Sequence, residues 1–307
     1  MGTYYKVTVV VQSDVDLAPL EQQINDELQA VDQSMSTFKQ DSEVSRFNRS
    51  NANQPFDLSE PLRQVVEEAL LISKRTDGAF DITVGEAVRI WGFGTDGSIS
   101  RKPTTEQLLK LRKSSSYTQL QLTGSKLHKL HSDTSIDLSA IAKGFAIDQV
   151  AGMLSRQGIS NYLIEVGGEL RASGRNIENH FWRIAIEKPE ILGGVQQVIE
   201  LENIAIATSG DYRNFVIIEG EHYSHTIDPR TLTPARSLLA SVSVLSANTS
   251  TADALATAMM VMGEEKAYAF AVKNQLAAFF IVRGSQPGTL NLQVTDQFRA
   301  TFLPQSG

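Results

Sequence analysis

Residues 136–144 read Ile-Asp-Leu-Ser-Ala-Ile-Ala-Lys-Gly, placing a carboxylate, a small-residue helix start and a lysine within seven positions. Thr134-Ser135-Ile136 ahead of it favour a strand, and Ile141, Phe145, Val150 and Leu154 behind it repeat at helical spacing. The pattern predicts Asp137 at a strand end and Ser139 as the N-cap of a helix. Unpaired first-turn N–H groups and the positive end of the helix dipole then face whatever Asp137 and Lys143 face. Such a grouping suits a phosphate held with a divalent cation. A surface Asp–Lys pair beside an ordinary cap fits the same residues equally well.

The bulk numbers narrow the partners. The 307 residues are 41% hydrophobic and 21% charged, enough for one large core or two joined domains. A net charge of −7, a pI of about 5.3 and the lack of any Lys/Arg block argue against non-specific nucleic-acid binding. An acidic chain that handles an anion needs a local positive centre or a metal. With no cysteine, disulfides, zinc thiolates and thiol nucleophiles are excluded. The longest apolar run, Ala254–Met262, contains Thr257 and is too short to span a membrane. Met1-Gly2-Thr3-Tyr4 leads straight into a strand over 5–11, which does not read as a signal peptide.

Leu17, Leu20, Ile24, Leu28, Val31 and Met35 define an amphipathic helix, followed by Phe38 and the polar segment 39–53. Ser59-Glu60-Pro61 opens a second helix with Ser59 as cap, and Thr76-Asp77-Gly78 closes it. A helix is predicted over 104–111, strands over 117–122 and 126–130, and a strand over 161–166 that meets Gly167-Gly168. The glycine pair lacks the spacing of a dinucleotide fold or a P-loop. Strands over 182–186, 195–201, 204–208, 215–219 and 242–245 then lead to a helix over 252–262, capped by Ser250 or Thr251. A further helix over 264–273 and strands over 277–283 and 290–294 close the chain.

Several loops carry chemistry-bearing residues. Asp77-Gly78-Ala79-Phe80-Asp81 sets two acids around small residues that let backbone amides approach a ligand, although a plain helix C-cap also fits. Trp91-Gly92-Phe93-Gly94, extended by Asp96-Gly97, could cover a flat ring or plug a core. Thr208–Arg213 clusters a hydroxyl, an acid and a base. His225, one of five histidines, sits where Ser224 and Asp228 could orient it. Asp253 and Thr257 are four apart on one helix face and offer hard oxygen ligands suited to Mg²⁺.

Taken in order, these stretches resemble the ApbE family of FAD:protein FMN transferases. The motifs are Met1-Gly2-Thr3, Met35–Phe38, Asp77–Gly85, Trp91–Gly94, Asp137–Gly144, Val166–Gly168, Ser209–Arg213, Ser224–Pro229 and Ala252–Thr257. None is decisive singly; their shared order is specific. The resemblance implies an enzyme that binds FAD and Mg²⁺, cleaves the pyrophosphate, and passes FMN to a threonine hydroxyl of an acceptor protein with AMP as leaving group. It maps FAD contacts onto Met1, Phe38, Ala79, Phe80, Asp81, Asp137, Lys143 and Ile227. It maps metal contacts onto the carbonyl of Ala140 and onto Asp253 and Thr257. Ala256 stands where some relatives carry a third acid. His225 is the candidate base for the acceptor threonine, and Asp253 is also counted as catalytic through the metal.

The implied acceptors are subunits of sodium-pumping NADH:quinone oxidoreductase or other FMN-binding domain proteins. The implied location is the periplasm, with an N-terminal lipid anchor this chain lacks. Two other activities fit the same residues: an FAD pyrophosphatase, with water in place of threonine, and a non-enzymatic flavin carrier. The expected architecture is α+β, a single domain over 1–307 that could form two lobes with FAD between them.

Overall fold

The computed structural model describes residues 2–11, 15–94, 97, 99, 101–189, 194–212, 215–286 and 288–302. Met1, Asp96 and Arg213, singled out above, lie outside the described residues. In chain order the elements begin β1 (Tyr5–Val9), α1 (Ala18–Met35), α2 (Glu43–Asn48), β2 (Phe56–Asp57), α3 (Glu60–Arg75), α4 (Gly85–Ile90), α5 (Thr105–Leu111), β3 (Leu120–Thr123), β4 (Lys126–Lys129) and α6 (Ala142–Arg156). Strands β5 (Tyr162–Val166), β6 (Glu169–Ser173), β7 (Trp182–Glu187), β8 (Val195–Leu201), β9 (Ile204–Gly210), β10 (Phe215–Ile218), β11 (Glu221–Ser224), β12 (Ile227–Asp228), β13 (Thr233–Pro234) and β14 (Leu239–Ser246) follow. The remainder is α7 (Thr249–Met262), α8 (Glu264–Lys273), β15 (Ala277–Arg283), β16 (Leu290–Val294) and α9 (Asp296–Phe302).

The chain divides into two compact units, one formed by residues 1–29, 143–212 and 237–307, the other by 30–142 and 213–236. The first is built on a seven-stranded antiparallel sheet in the order β1-β5-β6-β9-β14-β15-β16. The interior strand β14 is buried along nearly its whole length, although Ser241 and Ser243 interrupt its apolar residues. Helix α7 lies across β9 and β14. The β7–β8 hairpin alternates buried and exposed residues on β7 and adds Trp182, Ile184, Ile186, Ile199 and Leu201 to a core with Phe279, Ile281 and Phe298.

The second unit carries α2–α5, the three-stranded sheet β2-β4-β3 and the small β10–β11 and β12–β13 hairpins. Trp91 closes its core with Tyr223, Ile227 and Leu232, and its indole N–H donates to the Leu232 carbonyl at 2.8 Å. The aromatic–glycine loop therefore plugs a core through Trp91. Lys129, fully buried, gives its ammonium to the carbonyls of Asn48 (2.8 Å) and Thr134 (3.2 Å). Burial holds its pKa below the ordinary lysine value.

Three local expectations are corrected. The polar segment 39–53 contains α2, which buries Val44 and Phe47 beneath the polar residues around them. Ser59 takes the N-cap position of α3 without capping it, because its hydroxyl donates to Glu43 Oε2 at 2.7 Å and its N–H to Glu43 Oε1 at 2.6 Å. Residues 134–136 form no strand. Instead Asn48 brackets Ile136, accepting its N–H at 2.8 Å and donating to its carbonyl at 2.9 Å, and Asp137 N–H donates to Ile82 O at 2.8 Å. Gly85 sits against this segment: a Cβ there would lie 3.0 Å from both the carbonyl and the hydroxyl oxygen of Ser135, which explains glycine at the end of the Asp77–Gly85 motif.

Candidate functional site

The site is built where the start of α6, the start of β6 and the first turns of α7 meet, all within the first unit. Helix α6 begins at Ala142, not at Ser139. Ser139 N–H instead donates to Asp137 Oδ1 at 2.8 Å, so Asp137 closes a turn ahead of the helix. The first-turn N–H of Gly144, free of the helix ladder, donates to Asp253 Oδ2 at 3.2 Å. The donor expected to face a phosphate is therefore spent on a carboxylate.

The helices approach this closely because residue 144 has no side chain. A Cβ there would lie 2.5 Å from Thr249 O and 2.6 Å from Ser250 N, both backbone atoms. The cap of α7 also differs from expectation. Asn248 occupies the N-cap position without a side-chain bond, and Asp148 of α6 caps the helix from outside. Its Oδ1 accepts from Thr249 N–H (3.0 Å) and Thr249 Oγ1 (2.9 Å), and its Oδ2 from Ser250 N–H (3.0 Å). Arg171 on β6 completes the joint, donating to Asp148 Oδ1 at 2.7 Å and to the Ala247 carbonyl at 2.8 Å. Asp148→Ala strands two helix N–H groups and removes the ion pair of Arg171, and is expected to lower unfolding free energy by about 2 kcal/mol in urea titrations. Unchanged stability would show that the joint does not seat α7.

Asp253 is 2% exposed and Glu169, the first residue of β6, is 5% exposed. Between them lies the ammonium of Lys143, 3.3 Å from Glu169 Oε1 and 3.3 Å from Asp253 Oδ2. Burial works against the Lys143 charge, but the two carboxylates outweigh it and hold its pKa above the ordinary lysine value. Glu169 is raised to about 8: burial pushes it up, Lys143 opposes that, and Asp253 adds to it. One turn beyond Asp253, Thr257 Oγ1 lies 3.3 Å from Ser209 Oγ on β9. Ala256 is fully buried, consistent with alanine offering no side-chain ligand there.

Among the described residues no group of three or more His, Cys, Asp or Glu is placed to hold a metal. The donor set is instead one carboxylate, Asp253, one hydroxyl, Thr257, and a neighbouring acid, Glu169, whose Oε2 is buried without a hydrogen-bond partner. That set fits Mg²⁺, which is bound through one or two carboxylates while waters and substrate phosphates complete its shell.

The remaining predicted residues lie in the second unit. Phe38 is 67% exposed, whereas Ala79, Phe80, Asp81 and Ile227 are buried. The Asp81 carboxylate is engaged internally, accepting from Thr83 N–H (2.8 Å), Thr83 Oγ1 (2.7 Å) and Tyr117 N–H (2.6 Å). His225 is half-buried, its ring meeting Phe93 edge-on at 6.5 Å. Beside it, Arg230 donates to both Asp228 oxygens at 2.9 Å, and Ser224 Oγ accepts the Thr226 N–H at 3.2 Å. Ala140 lies in the turn before α6, in the second unit.

Sequence reading missed Glu169 and Asp148. The signal for Glu169 was present, since it directly follows Gly167-Gly168 and opens a strand. Asp148 sits mid-helix, where an acid reads as a solvated face, and only the packing of α6 on α7 gives it a role.

The model of the ApbE family matches residues 1–280. A Vibrio cholerae protein named FAD:protein FMN transferase is 44% identical over 285 residues, covering 92% of this chain and 85% of its own. The protein of that name from Escherichia coli K12 is 37% identical, covering 99% and 86%. Among solved structures, the flavin transferase ApbE of Vibrio cholerae superposes with a TM-score of 0.90 at 41% identity, over 98% of this chain and 96% of that one. The apo flavinyl transferase ApbE of Pseudomonas stutzeri gives 0.89 at 36% identity, over 97% and 93%. No helix among the described residues is long and apolar enough to cross a membrane. With the family model, the relatives and the fold in agreement over most of its length, the chain belongs to the ApbE family.

Proposed function

We propose that this protein is an Mg²⁺-dependent FAD:protein FMN transferase. A threonine hydroxyl of the acceptor attacks the phosphorus on the FMN side of the FAD pyrophosphate, the bond to the AMP phosphate breaks, and a phosphoester-linked flavin forms. The observation that carries the reading is the buried Asp253, one turn before Thr257 and flanked by Lys143 and Glu169. Asp253 and Thr257 would hold the metal by their side chains and Ala140 by its carbonyl. The bound cation supplies charge neutralisation for the transferred phosphoryl group and the leaving AMP.

Lys143 would add a point charge for the same phosphates. Phe38, Ala79, Phe80, Asp81, Asp137 and Ile227 are assigned to FAD, as is Met1 on the family resemblance alone. Given its internal bonds, Asp81 would serve FAD by shaping the backbone of its loop rather than by its carboxylate. His225 is assigned as the base that takes the threonine proton, in its neutral form near pH 7. The acceptor is proposed to be a subunit of sodium-pumping NADH:quinone oxidoreductase or another FMN-binding domain protein. The periplasm, with a lipid anchor on the full-length protein, belongs to the same proposal.

The test is mass spectrometry of such an acceptor after incubation with the protein, FAD and Mg²⁺. An FMN adduct on threonine is expected, and with His225→Ala its single-turnover rate should fall about 100-fold. Rapid release of FMN and AMP without acceptor, and no adduct with it, would make the protein an FAD pyrophosphatase instead.

A further inference from the structure

The first turn of α6 delivers one cation to two buried acids, and this arrangement differs from an ordinary ion pair. Elsewhere in the same unit, Arg171 and Asp148 meet at 2.7 Å, the distance of a charge-assisted bond. Lys143 stands 3.3 Å from Glu169 and 3.3 and 3.5 Å from the two oxygens of Asp253, shared between the two acids. Asp253 has a further donor in Gly144 N–H. Glu169 Oε2 has none, although it is buried, and an unsatisfied acceptor of this kind is costly. Two buried carboxyl groups thus share one ammonium, and the Asp253 carboxylate is where a further cation would compete with it.

We infer that Lys143 is the built-in counter-ion of the unloaded site, displaced from Asp253 when a divalent cation binds, and that Glu169 is the positioning residue that retains it. This rests on the reading of Asp253 and Thr257 as metal ligands. Before loading, the ammonium shields Asp253 and bridges it to Glu169. On loading, the cation takes the Asp253 oxygens, and Lys143 stays on Glu169 Oε1 at the edge of the site, where substrate phosphates need a positive charge. The unpartnered Glu169 Oε2 is then placed to accept a hydrogen bond from a water carried in with the ion, since Mg²⁺ retains several of its waters.

Two measurements on the FAD-free full chain test the arrangement. Calorimetric titration with Mg²⁺ should show Lys143→Met binding about tenfold more tightly than wild type, because its intramolecular competitor is gone. Glu169→Gln should bind about tenfold more weakly, because Lys143 then pairs with Asp253 alone. The second measurement follows the lysine ammonium by NMR in ¹⁵N-lysine protein, with the Lys143 signal assigned by its absence from Lys143→Arg. This arm does not depend on the Met variant folding. The signal should shift but persist when Mg²⁺ is added to wild type, and vanish into solvent exchange when Mg²⁺ is added to Glu169→Gln. Equal Mg²⁺ affinity in wild type and Lys143→Met, or loss of the signal from wild type on loading, overturns the inference and leaves the metal reading intact. No Mg²⁺ binding by any variant or by wild type overturns both.

Discussion

Asp253→Ala is expected to lower FMN transfer about 1,000-fold, equivalent to about 4 kcal/mol of transition-state stabilisation. The residue does three things at once. It offers the only carboxylate on the site-facing turns of α7, accepts the Gly144 N–H, and shares Lys143 with Glu169. Asp253→Asn separates these, because an amide still accepts from Gly144 but carries no charge for a cation. If the charge is what matters, Asn should be nearly as inactive as Ala while unfolding close to wild type. FAD binding, followed by flavin fluorescence, should survive both substitutions. Transfer by Asp253→Ala within tenfold of wild type would remove the role of an Asp253-held metal in the reaction.

Gly144→Ala is the sharper structural test, because two physical rules disagree about its sign. Helix propensity alone favours alanine over glycine by about 1 kcal/mol in a helix. The fold says otherwise: the added methyl would stand 2.5 Å from Thr249 O and 2.6 Å from Ser250 N. Those are backbone atoms pinned by Asp148, so they cannot swing aside as a flexible side chain would. A net loss of about 3 kcal/mol in unfolding free energy is expected. Moving α6 off α7 also lengthens the Gly144–Asp253 and Lys143–Asp253 contacts, so transfer activity should fall even where the variant is fully folded. A variant as stable as wild type would mean that the two helices are not held together at this point.

Much of this fold could be read from the chain because its helices and strands are written in clean periods. The stripe Leu20, Ile24, Leu28, Val31, Met35 is buried as α1 requires, and α8, β15 and β16 fall at their expected bounds. What escaped was set by tertiary partners rather than local preference. Ser59, Ser139 and Ser250 are all good caps by composition, yet Glu43, Asp137 and Asp148 decide what their backbone or side-chain groups do. Thr134–Ile136 favours a strand, but the side chain of Asn48, far off in sequence, satisfies Ile136. In the site, Asp253, Thr257 and Lys143 were legible because their spacing on helix starts suggests ligands. Glu169 was not, since a buried acid at the head of a strand acquires meaning only from the lysine beside it.

The strand order of the large sheet carries a consequence for biosynthesis. Strand β1 pairs with β5, so every residue from 30 to 142 is translated between the two partners, and β14 then docks beside β9 across another insertion. Pairing across such separations costs loop-closure entropy and slows folding. On the ribosome, α6 and β6 emerge well before α7, so Lys143 and Glu169 can meet while Asp253 is still unsynthesised. The acid that would recruit the metal arrives last, on a helix seated by a residue already in place. A nascent chain halted before Thr249 would therefore carry its lysine satisfied and its chemistry switched off, and activity would appear only with the final helix-and-strand layer.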